Sequence, residues 1–329
     1  MISYRQLINE QLYYKMRAQN EKAADLITNA ISVIKELVMR NHKNDMSFAK
    51  FLVSAFNSKH PQNRDNNLYF LQSELENKNF KVSYVDNIEG SAPENILFPG
   101  LYFGKAKLFD EETQSEIMVD VFFSSQLKGG DAYYQEPNSI IICASILDNT
   151  ISEIHGTIYH ELIHATQPVK ISPRRYRQSR VITGKGDKVR LDDMHNYIRA
   201  GVEFEAQLGG IIRSFKNNFI LLYKKSPNNQ LWQKTRQIQL DNLKKLTQLS
   251  RKDVLKEFSI NFTEENKMPY PNSIIPTTSL YLLRLFYYAS LGEEKTATSN
   301  AGRLRWNQLI NAFKKLYTEL STDPNYSTK

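Results

Sequence analysis

The stretch Ile158-Tyr159-His160-Glu161-Leu162-Ile163-His164-Ala165 decides how the rest of the chain is read. It holds an H-E-x-x-H pentapeptide and is apolar everywhere except at those three chemical residues. Successive helix positions turn by about 100°, so two His four apart fall within roughly 40° of each other on one face. Both imidazoles can then reach one tetrahedral metal at distances of about 2.0–2.1 Å. Glu161 stands beside them, placed to take a proton from a water at that metal. Two His and a Glu inside an apolar helix are costly to bury unless something coordinates them, so the pattern predicts a metal site.

Outward from the pentapeptide, the helix is expected to begin near Asn149-Thr-Ile-Ser-Glu153, with Asn149 or Ser152 as its cap, and to end by Pro168, which cannot continue it. His155 falls about 140° and 180° around the helix from the two motif histidines. It cannot share their metal and reads as structural. The strand Ser139-Ile-Ile-Ile-Cys143 precedes the helix. Cys143, the one cysteine of the chain, sits in that apolar run and reads as a buried small hydrophobe.

Two His need at least one more protein ligand, and a catalytic site keeps one position open. The extended form H-E-x-x-H-x-x-G-x-x-H is excluded, because Gln167 stands at the Gly position and Lys170 at the third His. The remaining candidates lie on a second helix expected from Asp192 to Tyr223: Asp192, Asp193, His195, Glu203 and Glu205. Glu203 shares a helical face with Ala206, Gln207 and Gly210, whose small residues allow close packing. Glu205 falls near the apolar stripe of Ile198, Val202 and Ile212, where a buried carboxylate would need a partner. The two arguments point to different residues.

His160-Glu-Leu-Ile-His164 followed by Glu203-Phe-Glu-Ala-Gln207 resembles the gluzincin metallopeptidases. It is most similar to the compact minimal gluzincins, the CAAX-prenyl-peptidase-like and ImmA/IrrE-like families, which share an E-x-x-A pattern on the ligand helix. The resemblance covers about residues 130–212. It implies a zinc ion (Zn2+) held by His160, His164 and Glu203, with Glu161 as general base in peptide hydrolysis. It also implies a substrate paired with an edge strand, the part expected of Ser139–Ala144. This chain departs from the prenyl-peptidase-like pattern in having Gln207 one turn beyond Glu203, where an acid is usual. The layout is also similar to H-E-x-x-H proteins encoded by tailed phages.

The expected fold is α+β: a zincin-like core of a small mixed sheet, active-site helix and ligand helix, with additional N- and C-terminal helices. Residues 1–80 read as helical, from Ile27, Ile31, Ile34, Leu37 and Val38 and again from Phe48, Phe51, Leu52 and Phe56. Residues 81–225 form the core, with strands at Lys81–Val85, Leu101–Phe109 and Met118–Phe123 and a turn at Asp110–Ser115. Residues 226–329 read as a C-terminal helical region, with segments at Leu231–Leu249, Leu280–Tyr288 and Leu304–Leu320. His42 and His60 lie in polar stretches and read as solvated.

The net charge of +8 is concentrated in one segment. Residues 170–190 carry eight cations against the single acid Asp187, a net +7, so the rest is nearly neutral. Such a loop would attract an acidic peptide substrate or another anionic partner, or stand as a solvated loop that selects nothing. The start of the chain has no apolar signal segment, and the longest apolar runs are too short to span a bilayer, so a cytoplasmic or virion-associated location is expected. A zinc-dependent endopeptidase is the first expectation. The rival is an assembly or virion component that keeps a structural or vestigial zinc on a zincin scaffold, because more than half the chain lies outside the catalytic unit. Nucleic-acid binding through 170–190 is a third, with no recognisable module behind it. Tyr176, Tyr197 and His195 lie near enough in sequence to supply a further donor.

Overall fold

The computed structural model describes residues 4–41, 50, 70–89, 97–110, 115–125, 130–135, 138–166, 201–225, 229–254, 256, 275, 282, 285, 286, 289 and 300–322. The chain is mixed α+β and divides into two compact units, residues 1–174 and 175–329. No helix among the described residues is long and apolar enough to cross a membrane.

In the first unit, α1 (Tyr4–Asn41) precedes β1 (Ser83–Glu89), β2 (Leu97–Asp110), β3 (Ser115–Ser124), β4 (Ala132–Gln135) and β5 (Ser139–Cys143). A 3-10 turn (Ala144–Asp148) then leads into α2 (Ile151–Thr166), which carries the motif. The five strands form one mixed sheet in the order β1-β2-β3-β5-β4. All pairings are antiparallel except β3 with β5.

Alternation along β3 explains the layering. Val119, Val121 and Phe123 are buried, Asp120 and Phe122 between them are half-buried, and Met118 and Glu116 on that second face are exposed, the period of two that marks a sheet more fully covered on one face. Onto that face pack Ile27, Ile31 and Ile34 of α1 together with Ile154, Ile158 and Leu162 of α2. In β5, by contrast, Ile140 to Cys143 are all buried, as in a strand whose two faces are both covered.

Gly100 is required where β2 crosses β3. A Cβ there would lie 2.1 Å from the Phe123 carbonyl oxygen and 2.6 Å from Ile88 Cδ1, and the first of these is backbone that cannot swing aside. Gly100→Ala is therefore expected to destabilise the protein by about 1–3 kcal/mol, as overpacking does, which a fall in the urea midpoint would register.

The second unit is helical among its described residues. It contains α3 (Gly201–Lys225), α4 (Gln230–Gln248) and α5 (Asn300–Thr322). Phe204, Ile212 and Phe219 of α3 share a core with Leu243 and Leu246 of α4 and with Leu309, Phe313 and Leu316 of α5. The buried Arg236 guanidinium stacks over the Phe219 ring at 5.8 Å, and Lys216 pairs with Glu319. Asn229 caps α4 by accepting from the Leu231 and Trp232 amides.

Several expectations meet this architecture differently. The strands at 81–85, 101–109 and 118–123 appear as β1 to β3, each longer than or shifted from its sequence estimate. The expected turn is closed by the Asp110–Ser115 pair, and residues 111–114 lie outside the described residues. Ser139–Ala144 is not an edge strand: β5 lies between β3 and β4, and the edge on that side is β4. The division into 1–80, 81–225 and 226–329 does not follow the two cores, since α1 shares one with the sheet and α3 shares the other with α4 and α5. The second expected helix is described only from Gly201 onward. Leu231–Leu249 and Leu304–Leu320 are matched by α4 and α5, whereas of Leu280–Tyr288 only positions 282, 285 and 286 are described, all helical. Phe48, Phe51, Leu52, Phe56, His42 and His60 lie outside the described residues.

Candidate metal centre

The motif helix is fixed at its start by a reciprocal cap that neither Asn149 nor Ser152 makes. Thr150 Oγ1 accepts from the Glu153 amide at 3.3 Å, and Glu153 Oε2 accepts from the Thr150 amide at 2.8 Å. This is a capping box, in which side chains satisfy two helix-end amides that lack intrahelical partners. Ser152 is buried and Asn149 holds a different contact. From that anchor Ile154, Ile158, Leu162 and Ala165 recur at helical spacing and enter the core, which leaves His160 and His164 together along the flank.

His160 Nε2 and His164 Nε2 are 3.0 Å apart, with their rings nearly perpendicular. Two nitrogens held to one tetrahedral ion would be separated by roughly 3.3 Å, given metal–nitrogen distances of about 2.0–2.1 Å. The observed pair is close to that spacing. Glu161 Oε1 lies 3.6 Å from His160 Nε2. Candidate ligand atoms of His160, Glu161 and His164 all fall within 4.8 Å of one another, and both His160 and Glu161 are buried. Two converging imidazole nitrogens beside a buried carboxylate form a donor set that suits a divalent metal.

Glu161 is also held by the sheet. Its Oε2 accepts the Tyr134 amide hydrogen at 2.7 Å. The pairing pattern explains why that amide is available. Cys143 donates to the Asp131 carbonyl, so alternation along an antiparallel pair turns the Tyr134 N–H away from β5 and off the edge of the sheet. A backbone donor on an open edge needs a partner, and the carboxylate supplies one in a charge-assisted bond.

Two contacts bring β4 to that position. Asn149 Nδ2 donates to Asp131 Oδ2 at 2.6 Å, and Ser145 Oγ donates to the Gly130 carbonyl at 2.9 Å. Across the same turn, Lys35 Nζ donates to the carbonyls of Leu147 and Asn149, tying α1 to the entry of the motif helix. Burial among these groups lowers the Lys35 pKa from its ordinary value, while Asp148 and Glu153 act in the opposite direction.

His155 is buried on the other side of α2, with Nε2 2.7 Å from Asp25 Oδ1 of α1, the structural part expected of it. Cys143 is buried and its thiol is pushed up to about 12, first by burial and then by the charges of Asp131 and Glu161. A thiol in that state is no nucleophile near neutral pH.

Apart from residues 170–174, the other residues singled out for the site belong to the second unit. Glu203 is a helical residue of α3, and its side chain lies outside those described. Glu205 is exposed, so the apolar-stripe argument that favoured it does not hold: on α3 the buried positions include Phe204, Ala206, Gly210 and Ile212. Gln207 is half-buried. Asp192, Asp193, His195, Tyr176, Tyr197 and the basic segment 170–190 lie outside the described residues.

Sequence reasoning missed Tyr134, and with it the whole of β4. The signal was there: Ala132-Tyr-Tyr-Gln135 lies between Gly129-Gly130 and Glu136-Pro137-Asn138, a short aromatic run between turn formers that a hairpin reading would have paired with β5. Comparison with protein-family models, with curated proteins and with solved structures finds no match for this chain.

Proposed function

We propose that this chain is a zinc-dependent metallopeptidase, with His160 and His164 as metal ligands, Glu161 as general base and Glu203 as third ligand. The observation that carries the reading is the convergence of the two imidazole Nε2 atoms to 3.0 Å beside a buried carboxylate. The assignment of Glu203 rests on the resemblance to the E-x-x-A pattern of the minimal gluzincins. Zinc is supported by the donor chemistry, since two imidazoles and a carboxylate are the set of hydrolytic zinc sites.

When bound, the metal would polarise a scissile carbonyl and lower the pKa of a water to about 7. The chain's own residues do the rest. Tyr134 fixes one Glu161 oxygen through its amide, leaving Oε1 on the side of His160 to receive a proton and hand it to the departing amine. The low exposure of Glu161 keeps bulk water from competing for that carboxylate. The basic segment 170–190 would attract acidic stretches of a protein substrate.

A second reading is an assembly component whose zinc is structural. The Glu161–Tyr134 bond favours it to this extent: it gives the carboxylate an architectural task that needs no chemistry.

Metal analysis of the purified full chain, beside His160→Ala and His164→Ala, tests the proposal. About one zinc per chain in the wild type and little in either variant is the expected result. Zinc bound without cleavage of casein-type or acidic peptides would favour the structural reading. A wild type that takes up no zinc would remove both.

A further inference from the structure

A cavity of about 610 Å³ lies in the first unit between α1, residues 79–82 and β2, away from the motif residues. Its origin is local. Helical residues 70–77 end in a reciprocal C-terminal cap: Phe80 donates to the Leu75 carbonyl, Asn79 donates to the Glu76 carbonyl, and Asn79 takes the left-handed backbone at φ 65°. That turn directs Phe80 and Val82 toward α1 as one wall. On the opposite wall β2 is interrupted by a register shift between Tyr102 and Lys105, with Gly104 at φ 89°. A bulge bends a strand and increases its twist. Ala23 and Ala30 of α1 and Ala106 of β2 are too short to fill the space that remains.

The lining has two chemistries. Ile27, Phe80, Val82, Phe103 and Val121 give it an apolar interior. Lys22, Lys81, Lys105 and Lys107 also line it, and all four are exposed, so they stand at its mouth. Lys107 pairs with Glu116, and none of the described residues that line the cavity is acidic. Leu26, 61% exposed, stands with the lysines at the mouth. The volume falls within the roughly 300–1,000 Å³ typical of small-molecule sites, and such sites are mostly apolar with a few placed polar groups.

We propose that this cavity binds an anionic single-chain amphiphile of the fatty-acid class, its alkyl chain among the apolar residues and its carboxylate at the lysine rim. The charge at the mouth selects the occupant: a neutral apolar segment would leave the lysines unused, and a cationic amphiphile would meet like charge.

Isothermal titration of the full chain with dodecanoate, decanoate and dodecyltrimethylammonium, all below their micelle concentrations, tests this. Dodecanoate should bind once per chain, about tenfold tighter than decanoate for the two extra methylenes. Dodecyltrimethylammonium, with the same chain and opposite charge, should bind at least about tenfold more weakly. Ala106→Trp, which fills the cavity from a strand position, should abolish binding. Lys81→Glu with Lys105→Glu, both at exposed positions, should weaken dodecanoate at least about tenfold and reverse the preference for charge. This double variant keeps the test decisive if Ala106→Trp fails to fold. Absence of dodecanoate binding, equal affinity for the cationic probe, or binding indifferent to the lysine reversals would overturn the proposal.

Discussion

Glu161→Gln should lower peptide hydrolysis by about 10²–10⁴-fold, the usual contribution of a positioned general base, while leaving bound metal unchanged. The substitution separates chemistry from architecture. A glutamine side chain keeps a carbonyl oxygen that can accept the Tyr134 amide, so the link between α2 and the sheet edge survives. What it loses is the capacity to take a proton at the oxygen beside His160. Zinc content and cleavage are to be measured on the same sample. Full activity in this variant would exclude Glu161 as the base, and loss of metal together with activity would mean that the carboxylate serves the site structurally.

Leu162→Ala should cost about 2–5 kcal/mol of stability, the range for emptying a buried aliphatic position. Leu162 is fully buried and lies between the two motif histidines in sequence, on the face of α2 that packs into the core with Ile154 and Ile158. The variant leaves every candidate ligand in place and removes part of what presses the helix onto the sheet. Its expected signature is a large drop in the denaturation midpoint, with metal still bound at low temperature. A change below about 0.5 kcal/mol, the level of an ordinary surface substitution, would show that the helix is not held by this contact.

These two substitutions fall one residue apart and test different levels of the molecule. The register of α2 makes that possible: Leu162 points into the core, while His160, Glu161 and His164 gather on the flank. A helix must be amphipathic in this way to serve as both scaffold and site, and the periodicity of Ile154, Ile158, Leu162 and Ala165 records it in the sequence.

The sequence by itself determined the local features. The spacing of His160 and His164 was enough to place both on one helical face, because that depends only on the 3.6-residue turn. The apolar pattern of α1 and the continuous apolar run of β5 were legible as well, since each lies within one segment, whereas the alternation in β3 came from burial in the fold. The structural part of His155 followed from its angle around the helix, although its partner Asp25, far away in sequence, did not.

Only the tertiary structure decided what depends on pairing between segments. Strand order is fixed by which hydrogen bonds close across the sheet, so it took the fold to place β5 inside and β4 at the edge. The bond from Tyr134 to Glu161 needs the outward turn of one amide on that edge, and no side-chain pattern encodes a main-chain donor. The choice of Thr150 over Asn149 as cap was decided in the same way, because Asn149 is drawn to Asp131 at the head of β4. Glu205 is exposed because the packing of α3 was settled by partners on α4 and α5, which one helix's amphipathicity could not foresee. Periodicity is a property of a single segment and can be read along the chain; contact belongs to two segments at once, and it exists only when the chain has folded.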